Sequence, residues 1–599
     1  MAMGAQPADS RSGVAAALEL LAALQRGGLS QVIVCPGSRS APLAAAAGLL
    51  EGPGLRLHTA LDERSAAFFA LGLGRALGLP AAVITTSGSA VAHLLPAAVE
   101  ADTGTIPLLL LTADRPDRLK GCGANQSVNQ EDFLRASCRW LGQGDGRGLA
   151  RMGSGDLAEL AALALSHCLG DGGLAPPGPV HLNLPFEDPL HPEGPELLAL
   201  AAGVRERHLG AAPVPGARPP GSPLPLPESA RLDPDLPGVV VAGPWRGRPQ
   251  SWPAFAEALR EWQRRTGWPV LADALSGLRG QPGLDSLAGY DLILESPPPQ
   301  LAAPQVLRLG SLPASRRLQA WLEGCAGPQV LVSEADPRPL DPLGRVRAQW
   351  SGGLALWRQA MAAPPGQPAA GSLAYADQWQ AAETRVQALL DGPEAAPAGA
   401  LFEEPFLARR LSRMLPPGLP LMLANSSPVR DWESFAAADA PARPVFSFRG
   451  ASGIDGTLSI AAGLAEALGH VVLITGDLAL LHDANGWLWL PRLAGRLTVL
   501  VIANGGGGIF EQLPIRTDPP AALDFERLFA MPQPVSPLAL AAVHGVAGRR
   551  VARPADLEAD LAWALGQSCA LLELPSNRTA DAERRRRLRT MAARECALP

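Results

Sequence analysis

The chain has 599 residues, more than a single hydrophobic core organises, so three domains of ordinary size are expected. Hydrophobic residues make up 47% and charged residues 18%, a globular composition, and the net charge of -6 excludes an electrostatic nucleic-acid binder. Apolar runs such as Ile106–Thr112 are strand-length rather than membrane-spanning, and no basic region leading into an apolar block opens the sequence. A cytoplasmic protein without membrane insertion is therefore expected.

In chain order, Gln31–Cys35, Arg56–Leu61, Ala81–Thr85, Leu108–Thr112 and Val180–Leu184 read as short buried strands. Gly13–Gln25, Glu63–Leu77 and Ala90–Asp102 read as the helices between them. That alternation predicts a doubly wound parallel sheet in a first domain, residues 1–195. A run rich in Pro and Gly, APVPGARPPGSPLPLP, then has linker composition. A central α/β domain, 196–395, follows, with strands expected at Gly238–Ala242, Pro269–Ala272, Asp291–Glu295, Gln305–Leu309 and Gln329–Ser333. The third domain, 396–599, has strands expected at Leu421–Ala424, Val471–Thr475, Leu497–Ile502 and Ala570–Leu574. The fold class is thus α/β, three doubly wound parallel-sheet domains in a row, which could share one layout.

The seven cysteines form no C-x-x-C pair and no zinc spacing, which suits reduced structural thiols. Arg584–Arg587 reads as a solvated helical face near the C-terminus. Lys120 is the only lysine, so Schiff-base chemistry has a single candidate, in a segment that reads as a surface turn. Positive charge is otherwise arginine, whose planar fork suits carboxylates and phosphates.

The third domain holds the most informative pair of turns, in VVLITGDLALLHDANGWLWL and LTVLVIANGGGGIF. In an open parallel sheet, ligands bind at the carboxyl ends of the strands. Asp477 and Asn504 each leave such an end, 27 residues apart, about one strand-helix-strand unit. Two oxygen ligands there suit an octahedral Mg2+ or Mn2+, with diphosphate oxygens and water completing the shell. Gly476 and Gly506 allow close backbone approach, a Gly506 carbonyl offers a third ligand, and the Leu478 and Ala479 amides open the next helix. Each turn alone is ordinary turn chemistry; the pair at this spacing is the signal. It resembles the thiamine-diphosphate motif, which begins Gly-Asp-Gly and closes on Asn. Here Leu478 takes the place of the last Gly and Ala503 that of a first Asn, and neither departure removes a side-chain ligand.

In the first domain, Glu63 lies just past a strand in the first turn of a helix, a position that favours any acid. Thiamine enzymes need one glutamate there to hydrogen-bond the aminopyrimidine ring and so activate the thiazolium carbon. CPGSRSAPLA (35–44), DERSAAFFALGLGRA (62–76), TTSGSAVAHLLPA (85–97), LTADRPDRLKGCGANQ (111–126) and RGASGIDGTLS (449–459) occur in order. Together they resemble the family of 2-succinyl-5-enolpyruvyl-6-hydroxy-3-cyclohexene-1-carboxylate synthases, thiamine-diphosphate enzymes of menaquinone and phylloquinone biosynthesis. The resemblance covers both outer domains nearly end to end and the central one weakly. It implies decarboxylation of 2-oxoglutarate, 1,4-addition of the resulting carbanion to isochorismate, and a homodimer or homotetramer with active sites between subunits.

Carried over residue by residue, the resemblance implies Glu63 as activator and Asp477, Asn504 and the Gly506 carbonyl as metal ligands. Ser426, Ile454, Gly476, Leu478, Ala479, Ile509 and Phe510 would surround the cofactor, with Ile454 wedging it into a bent shape. Ser38, Arg39, Arg115, Asn125, Gln126, Arg316, Arg317, Arg430 and Arg449 would hold substrate carboxylates and hydroxyls, against an apolar wall of Ile509, Phe510 and Leu513. Arg316 stands where a lysine is familiar, and Phe448 replaces a usual Asn and takes no polar role. No His or Cys is required as nucleophile, and His93 and His482 are assigned none. Two rivals stay open. One is an acetohydroxyacid-synthase-like or other 2-oxo-acid decarboxylase, for which the arginines of CPGSRS, TADRP and SSPVR would be superfluous. The other is a dinucleotide binder or scaffold, against which the glycines at 505–508 do not form G-x-G-x-x-G.

Overall fold

A computed structural model describes residues 11–170, 175–191, 194–207, 226–362, 366–393, 402–517 and 523–597. Most of the Pro/Gly-rich run, 212–225, lies outside the described residues. The chain forms two compact units, one of Met1–Gly221 with Arg449–Ser452, the other of Ser222–Phe448 and Gly453–Pro599.

The first unit carries strands β1 (Gln31–Val34), β2 (Arg56–Thr59), β3 (Ala81–Thr85), β4 (Leu108–Asp114), β5 (Trp140–Gln143) and β6 (Pro179–Pro185). They form one sheet, ordered β2-β1-β3-β4-β6-β5, with every neighbouring pair parallel. All residues of β3, β4 and β6 are buried, as expected of central strands covered by helices on both faces. Helix Glu63–Leu77 has its anticipated bounds because its ends are written into the sequence. Asp62 caps it by accepting from the Arg64 and Ser65 amides, and Gly78, at φ 65°, closes it with its N–H on the Gly74 carbonyl. A Cβ on Gly74 would stand 2.5 Å from the Pro107 carbonyl, so this helix packs against backbone. The helix expected at Ala90–Asp102 is instead two, Ser89–Ala92 and Leu95–Gly104. Pro96, which lacks an N–H, opens the second. The expected boundary at 195/196 falls inside helix Gly194–Arg207.

The second unit carries two sheets. The first contains β7 (Val239–Ala242), β8 (Val270–Ala272), β9 (Ser286–Leu287), β10 (Val306–Leu309), β11 (Gln329–Val332) and β12 (Val346–Trp350), ordered β12-β11-β10-β7-β8-β9. The other contains β13 (Leu421–Leu423), β14 (Val445–Phe446), β15 (His470–Gly476), β16 (Arg496–Ala503), β17 (Ala547–Arg550) and β18 (Cys569–Pro575), ordered β14-β13-β15-β16-β18-β17. Both are parallel throughout. The outer sheets thus share one strand order, whereas the central sheet has the two-halves order of dinucleotide-binding folds, so a common layout holds for two domains and not three.

The strand expected at Asp291–Glu295 is a buried helix, Tyr290–Ile293. A short apolar run does not by itself distinguish the two. Arg584–Arg587 is not a uniformly solvated face: Arg585 is 2% exposed and Arg584 pairs with Glu403. All seven cysteines are free thiols. Among the described residues no helix is long and apolar enough to cross a membrane.

Candidate active site

In the first unit the arginines of CPGSRS and TADRP each follow the carboxyl end of a strand, β1 and β4 respectively. Arg39 Nη1 donates to the Phe186 carbonyl at 2.9 Å and pairs with Asp188 at 3.6 Å, while its buried Nε has no partner. Arg115 is 9% exposed and donates to Ser87 Oγ at 2.7 Å and to the Gln126 carbonyl at 3.1 Å. Burial, and next the charge of Arg39, push the Arg115 guanidinium below its ordinary value. Ser38, Asn125 and Gln126 are exposed, Gln126 at a φ of 56°.

Glu63 is half-buried at the start of its helix and raises the Cys35 thiol, second only to burial itself. Among the described residues no hydrogen bond or ion pair engages its carboxylate. Within the same unit, buried Glu100 accepts the Gly450, Ala451 and Ser452 amides at 2.7, 2.7 and 3.3 Å, which fixes the segment carrying half-buried Arg449. A Cβ on Gly450 would stand 2.2 Å from Thr103 Oγ1, so only glycine fits. Sequence reasoning missed Glu100. Its signal, an acid on the buried side of an Ala-rich helix, is weak.

In the second unit Asp477 and Asn504 follow neighbouring strands β15 and β16. Asp477 Oδ2 accepts the Gly505 and Gly506 amides, both at 3.0 Å, so the two turns are fastened together. Burial raises the Asp477 carboxyl above its ordinary value, with the Leu478, Gly506 and Gly505 amides opposing. The Leu478 N–H donates to Asp477 Oδ1 at 2.8 Å. Gly505 and Gly506 have φ of 79° and 122°, and Arg578 holds the Gly505 carbonyl at 2.8 Å. Arg578 was not anticipated. The Gly506 carbonyl accepts from Gly508 N–H at 2.8 Å, which uses one of its two lone pairs.

Asn504 Nδ2 donates to Glu404 Oε1 at 2.7 Å, and its buried Oδ1 has no partner. A buried amide oxygen without a hydrogen bond calls for a ligand. Among the described residues no group of three or more His, Cys, Asp or Glu could hold a metal ion. Asn504 Oδ1 and the Asp477 carboxylate, at the ends of neighbouring strands, are oxygen donors of the kind a hard divalent cation takes. The residues present therefore fit a magnesium diphosphate.

Ser426 adopts φ 77° and its carbonyl accepts from Arg430 Nη1 at 2.8 Å; the Arg430 side chain is exposed. Asn425, missed from sequence, donates to the Phe448 and Gly453 carbonyls at 2.8 and 2.7 Å, and half-buried Ile454 follows directly. Gly476 and Ile509 are half-buried, Ala479 is buried, and Phe510 and Leu513 are each 37% exposed. Arg316 is exposed at the opening of helix Arg316–Gly324. Arg317 pairs with Asp291 at 2.5 Å and Glu295 at 3.2 Å.

Three family models match: the thiamine pyrophosphate enzyme N-terminal TPP binding domain over residues 15–133, the middle domain of thiamine pyrophosphate over 236–423, and the C-terminal TPP binding domain over 435–574. A protein of Synechococcus sp. (strain RCC307) is 53% identical over 97% of this chain and 98% of its own. One of Parasynechococcus marenigrum (strain WH8102) is 53% identical over 94% and 99%, and one of Prochlorococcus marinus (strain MIT 9313) 48% identical over 94% and 97%. Each of these relatives is named 2-succinyl-5-enolpyruvyl-6-hydroxy-3-cyclohexene-1-carboxylate synthase. The chain belongs to the 2-succinyl-5-enolpyruvyl-6-hydroxy-3-cyclohexene-1-carboxylate synthase family of thiamine-diphosphate enzymes.

Proposed function

We propose that the protein decarboxylates 2-oxoglutarate and adds the succinyl carbanion 1,4 to isochorismate, releasing CO2 and 2-succinyl-5-enolpyruvyl-6-hydroxy-3-cyclohexene-1-carboxylate for menaquinone or phylloquinone biosynthesis in the cytoplasm. Thiamine diphosphate, when bound, supplies the nucleophilic carbon and the electron sink for both steps. The observation that carries the reading is the anchoring of two arginines beyond the strand ends of the first sheet, Arg39 on the Phe186 carbonyl and Arg115 on Ser87 and Gln126. Two fixed guanidiniums are superfluous for a monocarboxylate such as pyruvate, whereas both substrates named here bring two carboxylates, which bidentate arginine holds well.

In this reading Asp477, Asn504 and the Gly506 carbonyl hold Mg2+ or Mn2+, and Gly476 and Ala479 flank the diphosphate. Ile454, Ile509 and Phe510 exclude water around the reacting atoms, Leu513 extends that wall, and Ser426 lies against the cofactor. Glu63 would hydrogen-bond the cofactor's aminopyrimidine ring and so orient it for activation. Ser38, Arg39, Arg115, Asn125, Gln126, Arg316, Arg430 and Arg449 orient substrate carboxylates and hydroxyls, so that reaction starts from an aligned pair.

Sites are shared between copies, Glu63 of one with Asp477 of another, in a homodimer or homotetramer. Mixing equal amounts of Glu63→Gln and Asp477→Ala subunits tests this: random pairing makes about half of the dimers hybrids with one intact site of two, so the mixture recovers about a quarter of wild-type activity. No recovery on mixing assigns both residues to one chain. The reaction itself is tested by CO2 release from 2-oxoglutarate with and without isochorismate. Product formation only with both substrates is expected, and equal turnover of pyruvate favours the acetohydroxyacid-synthase-like alternative.

A further inference from the structure

A metal-binding amide has a polarity that something must set. Oδ1 of Asn504 can accept and coordinate, whereas Nδ2 can only donate, and the two ends have nearly the same shape. A flipped Asn504 would present hydrogens to a cation. The choice is made by a neighbour that does only one of the two jobs. Glu404 is 1% exposed and its Oε1 accepts from Asn504 Nδ2 at 2.7 Å, leaving Oδ1 buried and unpartnered at the other end of the amide.

Glu404 is itself held rigidly. Its backbone N–H donates to Asp581 Oδ1 at 2.9 Å, and its Oε2 accepts from Arg585 Nη2 at 2.5 Å. Arg585, 2% exposed, also donates through Nε to Asp431 Oδ1 at 2.7 Å. The network joins the start of helix Glu404–Met414, helix Ser427–Phe435 and the C-terminal helix Arg578–Ala597. With Oε2 tied to a guanidinium, Glu404 cannot rotate away from Asn504.

We propose that Glu404 is a positioning residue for the metal site: it fixes the Asn504 amide with Oδ1 towards the cation, and Arg585 fixes Glu404. This rests on the reading of Asn504 as a metal ligand. Partners of this kind typically set metal affinity by 10- to 100-fold.

The test exchanges the polarity of the pair. In Glu404→Gln the oxygen of the new amide stays on Arg585, the stronger charge-assisted partner, and its NH2 faces Asn504. Asn504 then turns its oxygen inward and its NH2 towards the cation. Mn2+ affinity of the thiamine-diphosphate-loaded protein, read by electron paramagnetic resonance of free Mn2+, should weaken by about 10- to 100-fold. The double variant Glu404→Gln/Asn504→Asp has an acceptor facing the new NH2 and an oxygen facing the cation, and it should return to within a few-fold of wild type. Asp341→Asn breaks a buried ion pair with Arg308 elsewhere in the same unit, away from Glu404 and Arg585, so it should lower Tm and leave Mn2+ affinity unchanged.

Unchanged affinity in Glu404→Gln, no recovery in the double variant, or an equal loss in Asp341→Asn overturns the proposal. Should Glu404→Gln alone not fold, the double variant still decides it, since weak Mn2+ binding there overturns the proposal. Asn504→Ala separates the two levels: wild-type Mn2+ affinity in that variant removes Asn504 from the metal site altogether. A loss there beside an unaffected Glu404→Gln removes only the role of Glu404.

Discussion

The Asp477 carboxylate is bound to the backbone of Gly506, whose N–H it accepts at 3.0 Å, so the turn after one strand is shaped by the acid after its neighbour. Gly506 holds a φ of 122°, and a Cβ there would stand 2.2 Å from the backbone carbonyl of Ala530. Gly506→Ala therefore meets both backbone strain and a contact that no flexible side chain can relieve. A loss of about 1–3 kcal/mol is expected from the dihedral alone, with weaker retention of thiamine diphosphate. Thermal unfolding and cofactor retention on gel filtration check it; wild-type behaviour in both removes the turn from the metal site.

Glu63 begins a helix whose cap is made by Asp62, and its own carboxylate takes no part in that capping. Glu63→Gln should fold normally and still bind metal and cofactor. Turnover should fall by roughly 10²- to 10⁴-fold, the range for loss of a positioned proton donor or acceptor. Steady-state rates beside calorimetric cofactor binding separate the two effects, and near-normal turnover rejects the assignment.

Arg115 is anchored through one nitrogen to Ser87 and Gln126. Arg115→Ala should raise KM for a carboxylate substrate by about 10- to 100-fold, as for loss of a charged hydrogen bond. Arg115→Lys should recover part of this, since it keeps charge but not the planar fork. An effect on kcat alone, with KM unchanged, speaks against substrate binding.

Arg585→Met leaves Glu404 and Asp431 buried without their cation, at a cost of about 3–5 kcal/mol. Burial already pushes Asp431 up to about 6 against the pull of Arg585, and burial likewise raises Glu404. A carboxyl whose folded value is raised stabilises the fold at low pH and loses that contribution as pH rises through the folded value. Without Arg585 both values rise further. The stability gap between variant and wild type should thus be small near pH 4 (about the unfolded value of both acids) and widen as pH rises past 6. Urea titrations along that range measure it, and a pH-independent gap contradicts the assigned charges.

The sequence by itself determined the three parallel sheets and the turns that end their central strands. Central strands such as Leu108–Asp114 are buried on both faces and read as unbroken apolar runs. The five strands it did not reveal, Trp140–Gln143, Ser286–Leu287, Val346–Trp350, Val445–Phe446 and Ala547–Arg550, all lie at sheet edges. Edge strands are half-covered at most, and Ala547–Arg550 is exposed throughout, so no hydrophobic pattern marks them.

At the candidate site the turn chemistry placed Asp477, Asn504 and the glycines, because such residues at strand ends follow from local rules. Glu100, Glu404, Asn425 and Arg585 needed the tertiary structure, as each acts on a segment more than 20 residues away in the chain. The same is true of Arg317, where only folding brought Asp291 and Glu295 within reach of its guanidinium. An isolated arginine in sequence is equally compatible with a ligand, an ion pair or water; the low-dielectric surroundings that choose among them exist only once the chain has packed.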